Sequence, residues 1–494
     1  MSKKVFKRII IIALCVLFLI VSCVFIFKRD FDAKVQAAAK ECNNYYVDAT
    51  FNSENMTIEA SQKVEVVNRS NSTMNELFFH LYPRAFREGA VIKPYTNLNQ
   101  GKCFSNGESF GSLDVLEVVV NGKKQDVCYA GDDENVLKIE HRLNSNEKVN
   151  VEMKFLVTIP NCNHRFGYMD QNVNLGNFIP ILAHFDGKNF DLTPYYSTGD
   201  PFCLDVANFY VKMDFPAQYS CASTGNVVET KNNDKKQIDI EAKAVRDFAI
   251  VLSENFALRE VDVGETKVKY YGYKNDSDLK YLANLVAKGL EFFNSKFGEY
   301  PYRQISVVKT PFLFGGMEYA NLVMIADNIV EIEDKVRVII HELAHQWWYG
   351  VVGNNQTTEA WVDESLTEYS SFLFFENHPA YNLKYDELIE DAKNTYDLYV
   401  DVIVSLGGKV NFSMIEPVFK YASEYEYSYM IYVKGTLMYD EIREKMGEKK
   451  FYKATQKLYK KNMFKVISKK DVFEAFSKYG GEDIKKTFNK YLVG

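Results

Sequence analysis

The chain has 494 residues, of which 47% are hydrophobic and 25% charged, a balance that excludes wholesale disorder and leaves room for several domains. Lys and Arg number 59 against 66 Asp and Glu, and the resulting net charge of −7 argues against a general nucleic-acid binder. Aromatic residues reach 15%, including 33 Tyr and 36 Phe, enough to build large cores.

Ile9 to Phe27 carries no charge. At about 1.5 Å per residue in a helix, this run spans roughly the hydrocarbon layer of a bilayer. Lys3, Lys4, Lys7 and Arg8 precede it, and Lys28 and Arg29 follow, with Asp30 and Asp32 close behind. The heavier positive cluster predicts a single-pass anchor within residues 1–30, a cytoplasmic N-terminus and everything after Phe27 on the extracellular side. Two other readings of this end stay open: a cleaved signal peptide, and a lipoprotein box at Ile20-Val21-Ser22-Cys23 with the anchor on Cys23. No second apolar run approaches this length, which excludes a channel or transporter. Residues 31–42 read as a stalk.

Residues 43–257 read as an all-β sandwich. Val149, Val151, Met153, Phe155, Val157 and Ile159 alternate with other residues until Pro160, and Phe209, Val211, Met213 and Phe215 repeat the pattern before Pro216. A period of two suits strands with one face on a core. Leu116 to Val120 runs into Asn121-Gly122, a tight-hairpin dipeptide, and Asn232-Asn233-Asp234 is a second polar turn. Together these predict an antiparallel sandwich. Six cysteines lie beyond the apolar run and none forms a Cys-x-x-Cys pair; Cys203 and Cys221, flanking one strand, are a candidate bridge, and buried free thiols are the alternative.

Residues 258–494 change period. One strand pair is legible at Gln304–Val308 and Leu322–Ile325. Helical spacing covers Leu279–Phe297, Glu331–Trp348, Ala360–Asn377 and Tyr429–Met446, predicting a mostly helical α+β domain.

The strongest chemical signal is His341-Glu342-Leu343-Ala344-His345. On a helix, positions i and i+4 share a face, so two imidazoles can point at one cation while Glu342 reaches a water bound to it. A hydrolytic zinc site uses three protein ligands and an open fourth position. The following segment offers Glu359, Asp363, Glu364 and Glu368, and spacing alone leaves the choice open.

The segment His341 to Gly350 followed by Trp361 to Tyr369 resembles the zinc site of the membrane alanyl aminopeptidases, a family of zinc metallopeptidases that includes the leukotriene hydrolase. The resemblance implies a thermolysin-like catalytic fold with one zinc ion per chain, held by His341, His345 and Glu364, with Glu342 as general base. Glu368 then reads as a partner of a metal ligand or as solvated, with the solvated reading preferred. Gly315-Gly316-Met317-Glu318-Tyr319 resembles the family's Gly-x-Met-Glu-Asn motif, which implies substrate binding by Gly315, Gly316 and Met317 and capture of a peptide's α-ammonium by Glu318. Tyr319 replaces the usual Asn, so an amide contact to the substrate is expected to be lost. Tyr432-Val433-Lys434-Gly435 matches the setting of the family's oxyanion-stabilising tyrosine, and Tyr427 is a weaker lining candidate. Phe78 to Pro83 is similar to a strand ending of the family's N-terminal domain. The stretch after Tyr432 is shorter than a typical domain, so the family's C-terminal helical domain is expected to be missing and the site to be open.

The implied partners are peptides with a free N-terminus and a lipid bilayer at residues 9–27, with no nucleic acid. The implied function is a membrane-anchored zinc aminopeptidase. The rivals are a thermolysin-like endopeptidase, an epoxide hydrolase and a catalytically inactive binding module.

Overall fold

The computed structural model describes residues 33–232 and 234–493. The predicted anchor at residues 9–27 lies outside the described residues, as do Cys15 and Cys23. Among the described residues no helix is long and apolar enough to cross a membrane. A short helix over 33–39 leads into the first strand.

The N-terminal part is β-rich. Its largest sheet has eight strands, in the spatial order Asn226–Asn232, Lys235–Val245, Ala207–Pro216, Asn43–Asn52, Thr57–Val67, Lys148–Thr158, Ser112–Val120 and Lys123–Gln125. Alternation sets which side is buried: Tyr45, Val47, Ala49 and Phe51 point inward on one strand, and Val149, Val151, Met153, Phe155 and Val157 on another. Asn121 and Gly122 both take positive φ, the conformation that a tight two-residue hairpin needs, and close the turn between Val120 and Lys123. Two four-stranded sheets complete this part. The Tyr45 hydroxyl accepts from the Leu182 amide at 3.0 Å and ties the large sheet to a smaller one.

One pairing departs from the antiparallel expectation. Asn43–Asn52 runs parallel to Ala207–Pro216, with Tyr45 opposite Phe209 and their rings stacked 4.8 Å apart. A strand's alternation records which face is buried and not the direction of a partner some 160 residues away. The candidate Cys203–Cys221 bridge is not formed; both cysteines are free. Cys203 faces Asp191 and Asp205, whereas Cys221 lies near Glu229, Lys236 and Lys269.

The C-terminal part is helical around one five-stranded sheet, ordered Phe256–Val263, Thr266–Tyr273, Gln304–Thr310, Leu322–Ala326 and Gly316–Met317. Gly316–Met317 pairs antiparallel with the edge of Leu322–Ala326. The helix Leu279–Lys296 packs on this sheet and against Ile332–Ala344, which in turn packs against Glu364–Asn377. The helix predicted at Glu331–Trp348 stops at Ala344. The one predicted at Ala360–Asn377 divides into a 3-10 turn, Ala360–Val362, and the α-helix Glu364–Asn377. Further helices absent from the sequence reading complete this part: Tyr385–Ser405, the short Glu424–Ser428, Glu448–Asn462, and two helices within Lys469–Val493 that meet at a kink at Gly481. Tyr385–Ser405 buries only Leu388, Ile389 and Ala392, too narrow a stripe for a clear helical period.

Candidate metal centre and substrate pocket

The helix Ile332–Ala344 is amphipathic in a specific way. Val336, Ile339, Ile340 and Leu343 are buried in the core, while Glu333 and Asp334 favour its positive N-terminal end. His341 and His345 fall on the remaining face, one turn apart. Trp347 and Trp348 lock the following turn: Trp347 Nε1 donates to Gly298 O at 2.7 Å, and Trp348 Nε1 to Ser370 Oγ at 3.1 Å.

Each histidine is oriented through Nδ1. A carbonyl oxygen can only accept, so the 3.1 Å contact from His345 Nδ1 to Trp348 O places the proton on Nδ1. His341 Nδ1 lies 2.6 Å from Glu368 Oε2, and that carboxylate holds the second ring in the same tautomer. Glu368 is therefore a histidine partner and not the solvated residue expected. Both Nε2 lone pairs then point toward Glu364, the first residue of the helix Glu364–Asn377.

The three ligand atoms form a small triangle. His341 Nε2 and His345 Nε2 are 3.1 Å apart, His345 Nε2 and Glu364 Oε2 3.0 Å, and His341 Nε2 and Glu364 Oε2 3.3 Å. A tetrahedral zinc ion with bonds of about 2.0–2.1 Å separates its ligand atoms by about 3.3 Å. The triangle and the two-nitrogen, one-oxygen donor set fit that ion. The other three acids of this segment are engaged elsewhere: Glu359 with the Lys469 amide, Asp363 with Asn354 and Gln356, and Glu368 with His341.

Glu342 is buried beside the triangle, against the strand Gly316–Met317. A Cβ on Gly316 would lie 2.3 Å from Glu342 Oε1, so only glycine leaves room for this carboxylate. Burial pushes the Glu342 carboxyl up to about 7, with the histidines opposing.

Strand alternation distributes the Gly-Gly-Met-Glu-Tyr segment. Gly315, Gly316 and Glu318 line the pocket. Met317 does not: it is fully buried on the opposite side of the strand, which corrects its expected substrate role. Tyr319 also faces away, and a Cβ on Gly176 of the β-rich part would lie 2.0 Å from its hydroxyl. The position occupied by Asn in the resemblance is thus a packing contact here. Glu318 is 3% exposed and accepts from Gln356 Nε2 at 2.6 Å. Gln356 Nε2 also donates to Asp363 at 2.9 Å, so one amide bridges the two carboxylates. Burial, reinforced by Asp200, holds the Glu318 carboxyl well above the usual range.

Tyr432 sits in a π-helical turn, Tyr429–Val433, that continues into the helix Lys434–Met446. Such turns often serve to re-aim one side chain. Gly435 makes this possible, because a Cβ there would lie 2.2 Å from Ser365 Oγ. That hydroxyl donates to Ile431 O at 2.6 Å and pins the turn to the Glu364 helix. The Tyr432 ring stacks 5.7 Å from His341, and Tyr427 stands edge-on at 5.8 Å. Burial raises the Tyr432 hydroxyl well above its ordinary pKa, so it keeps the proton it could donate.

The pocket has a volume of about 410 Å³. Several of its residues escaped the sequence reading, among them one charged pair. Arg165 and Asp200, both from the β-rich part, form an ion pair at 2.6 Å in the pocket wall. Each is an isolated charge in an irregular polar segment with no periodic or motif context, so no local signal marked it.

Comparison with known proteins agrees with this geometry. Residues 281–491 match the model of the peptidase family M1 domain. The chain is 24% identical over 412 residues to Aminopeptidase 2 of Candida albicans, covering 76% of this chain and 42% of that protein. It is 24% identical over 469 residues to the alanine/arginine aminopeptidase of Saccharomyces cerevisiae, covering 88% and 49%. This chain thus spans less than half the length of these curated relatives. Among solved structures, the M1 zinc metallopeptidase of Deinococcus radiodurans shares the fold with a TM-score of 0.63 at 15% identity, covering 92% of this chain and 93% of that one. The family match over residues 281–491 and the shared fold over most of the chain's length thus make this protein similar to the M1 peptidases.

Proposed function

We propose that this protein is a zinc aminopeptidase that hydrolyses the first peptide bond of peptides with a free N-terminus. The carrying observation is that the His341, His345 and Glu364 triangle shares one pocket with the buried, amide-tethered carboxylate of Glu318. One zinc ion per chain, held by those three residues, would polarise the scissile carbonyl and acidify a water. Glu342 is placed to take a proton from a water entering the pocket and to return it to the leaving amine. Tyr432 donates its hydroxyl proton in a hydrogen bond to the oxygen that gains charge, a contact commonly worth about 3 kcal/mol. Glu318 accepts the substrate ammonium, which sets the cut after the first residue. A cationic end also offsets the crowding of Glu318, Glu342 and Asp200. The names of the relatives and a Deinococcus radiodurans structure bound to a Tyr-Ser-Ala substrate support a peptide substrate.

The test is a panel of aminoacyl reporter amides, with and without an N-acetyl cap, before and after chelation. Hydrolysis of uncapped substrates only, lost on chelation and restored by zinc, is expected. Equal hydrolysis of capped peptides would indicate an endopeptidase, and a metal-free protein with no hydrolysis an inert binding module.

We further propose that residues 9–27 anchor the chain in a membrane, with the catalytic part outside. The support is the uncharged run from Ile9 to Phe27 and the basic cluster before it. Recovery of the full chain in the soluble fraction would overturn this, and lipid labelling lost on Cys23→Ser would favour the lipoprotein route.

A further inference from the structure

Cys103 and Cys162 are two buried thiols that take no part in the pocket chemistry. Cys103 ends the short helix Gln100–Cys103, within the long connection between Phe86 and Ser112. Cys162 lies just beyond the strand Lys148–Thr158. Their backbones touch, since the Asn163 amide donates to Cys103 O at 2.8 Å. Their side chains face each other, and the Cys103 thiol is the main polar neighbour of Cys162. The remaining described cysteines are placed differently. Cys128 is exposed, and Cys42, Cys203 and Cys221 face charged groups rather than a second sulfur.

We infer that Cys103 and Cys162 are the site of a disulfide cross-link. The oxidant is a small-molecule disulfide. One thiol loses its proton and attacks that disulfide, releasing one reduced thiol and leaving a mixed disulfide. The second thiol then loses its proton, attacks the protein sulfur and releases the second reduced thiol. The chain loses two protons and two electrons, and the oxidant takes up both.

The bond has a structural consequence at the pocket. The connection that it pins carries Asn99, whose Nδ2 donates to both carboxylate oxygens of Glu424, at 3.1 and 3.0 Å. Glu424 is half-buried and lines the pocket. The same connection carries Pro94, whose carbonyl accepts from His164 Nε2 at 3.0 Å, next to the pocket residue Arg165. Closing Cys103 onto Cys162 therefore fixes a strap between the β-rich part and the rim of the substrate pocket.

The experiment uses the full chain, opened in mild urea with oxidised glutathione, returned to buffer, alkylated and digested without reduction. The expected result is a peptide pair joined through Cys103 and Cys162, two mass units lighter than the two thiol peptides together. The oxidised chain should melt higher than the reduced chain by roughly 5 °C, because the cross-link restricts the unfolded state. Amide exchange over residues 96–107 should slow by about tenfold, as expected when local opening is suppressed. Recovery of both cysteines alkylated, or of either joined to another cysteine, would overturn the proposal. A bond that forms without changing melting or exchange would overturn its role as a strap. The double variant Cys103→Ser, Cys162→Ser should lack the joined peptide and the gain in melting temperature; if it does not fold, the oxidised and reduced wild-type chains still decide the matter.

Discussion

Gly316→Ala isolates the proposed general base without touching a metal ligand. Gly316 does not have a left-handed backbone, so alanine is permitted there by φ and the effect is purely steric. The new methyl would lie 2.3 Å from Glu342 Oε1 and 2.4 Å from Cδ and Cγ, where ordinary contact begins at 3.4 Å. The Glu342 carboxylate must therefore retreat by about 1 Å, a displacement that can cost about a hundredfold when it separates reacting groups. The expected result is a kcat about 100-fold lower, equivalent to about 2.7 kcal/mol. KM for aminoacyl amides should change little, because Glu318 keeps its place, and bound zinc by metal analysis should match the wild type. Gly315→Ala is the control: its Cβ meets nothing within 4 Å, and only its φ of +86° is strained. A kcat near wild type for Gly316→Ala would refute Glu342 as the base at this position. Zinc lost in step with activity would show that the methyl disturbs the metal site instead.

Glu318→Gln removes the charge proposed to receive the substrate ammonium, a hydrogen bond worth about 1.5–3 kcal/mol, so kcat/KM for uncapped substrates should fall by about 10- to 150-fold. Capped substrates should gain nothing, and an unchanged kcat/KM would refute the role. Glu368→Ala leaves His341 Nδ1 without its 2.6 Å partner and should weaken zinc binding by about 10- to 100-fold in a chelator competition; unaltered affinity would show that the contact does not orient the ring. Burial, aided by Arg165, lowers His164 from 6.5 to about 3. Its contribution to stability is then intact above pH 6.5 and is lost as pH falls toward 3, because the unfolded chain takes up a proton that the folded chain refuses. The loss reaches about 1.4 kcal/mol per pH unit. Urea midpoints between pH 7 and pH 4 should fall less steeply in His164→Gln, and identical slopes would refute the assignment.

Much of this protein was legible in the order of its residues, for reasons that differ from place to place. The faces of the strands at Val149–Ile159 and Phe209–Phe215 were visible because burial on one side of a sheet imposes a period of two. The convergence of His341 and His345 was visible because a helix brings i and i+4 together regardless of what surrounds it. Met317 was misplaced although the same rule applied: its neighbours Gly316 and Glu318 face the pocket, so the residue between them faces the core. Glu368 was misread as solvated because an exposed acid and a histidine partner look alike in a helical pattern until the neighbouring helix is in place.

Local spacing alone determined the two-part character of the chain, the histidine helix and the turn at Asn121-Gly122, because each depends on interactions within a few residues. Tertiary structure decided what depends on distant segments meeting. It chose Glu364 among four acids, aimed Tyr432 through a π-turn held by Ser365, and brought Arg165 and Asp200 from the β-rich part to the pocket wall. It also placed the first strand parallel to Ala207–Pro216. Such choices are set by packing between elements far apart in the chain, and no short-range pattern records them.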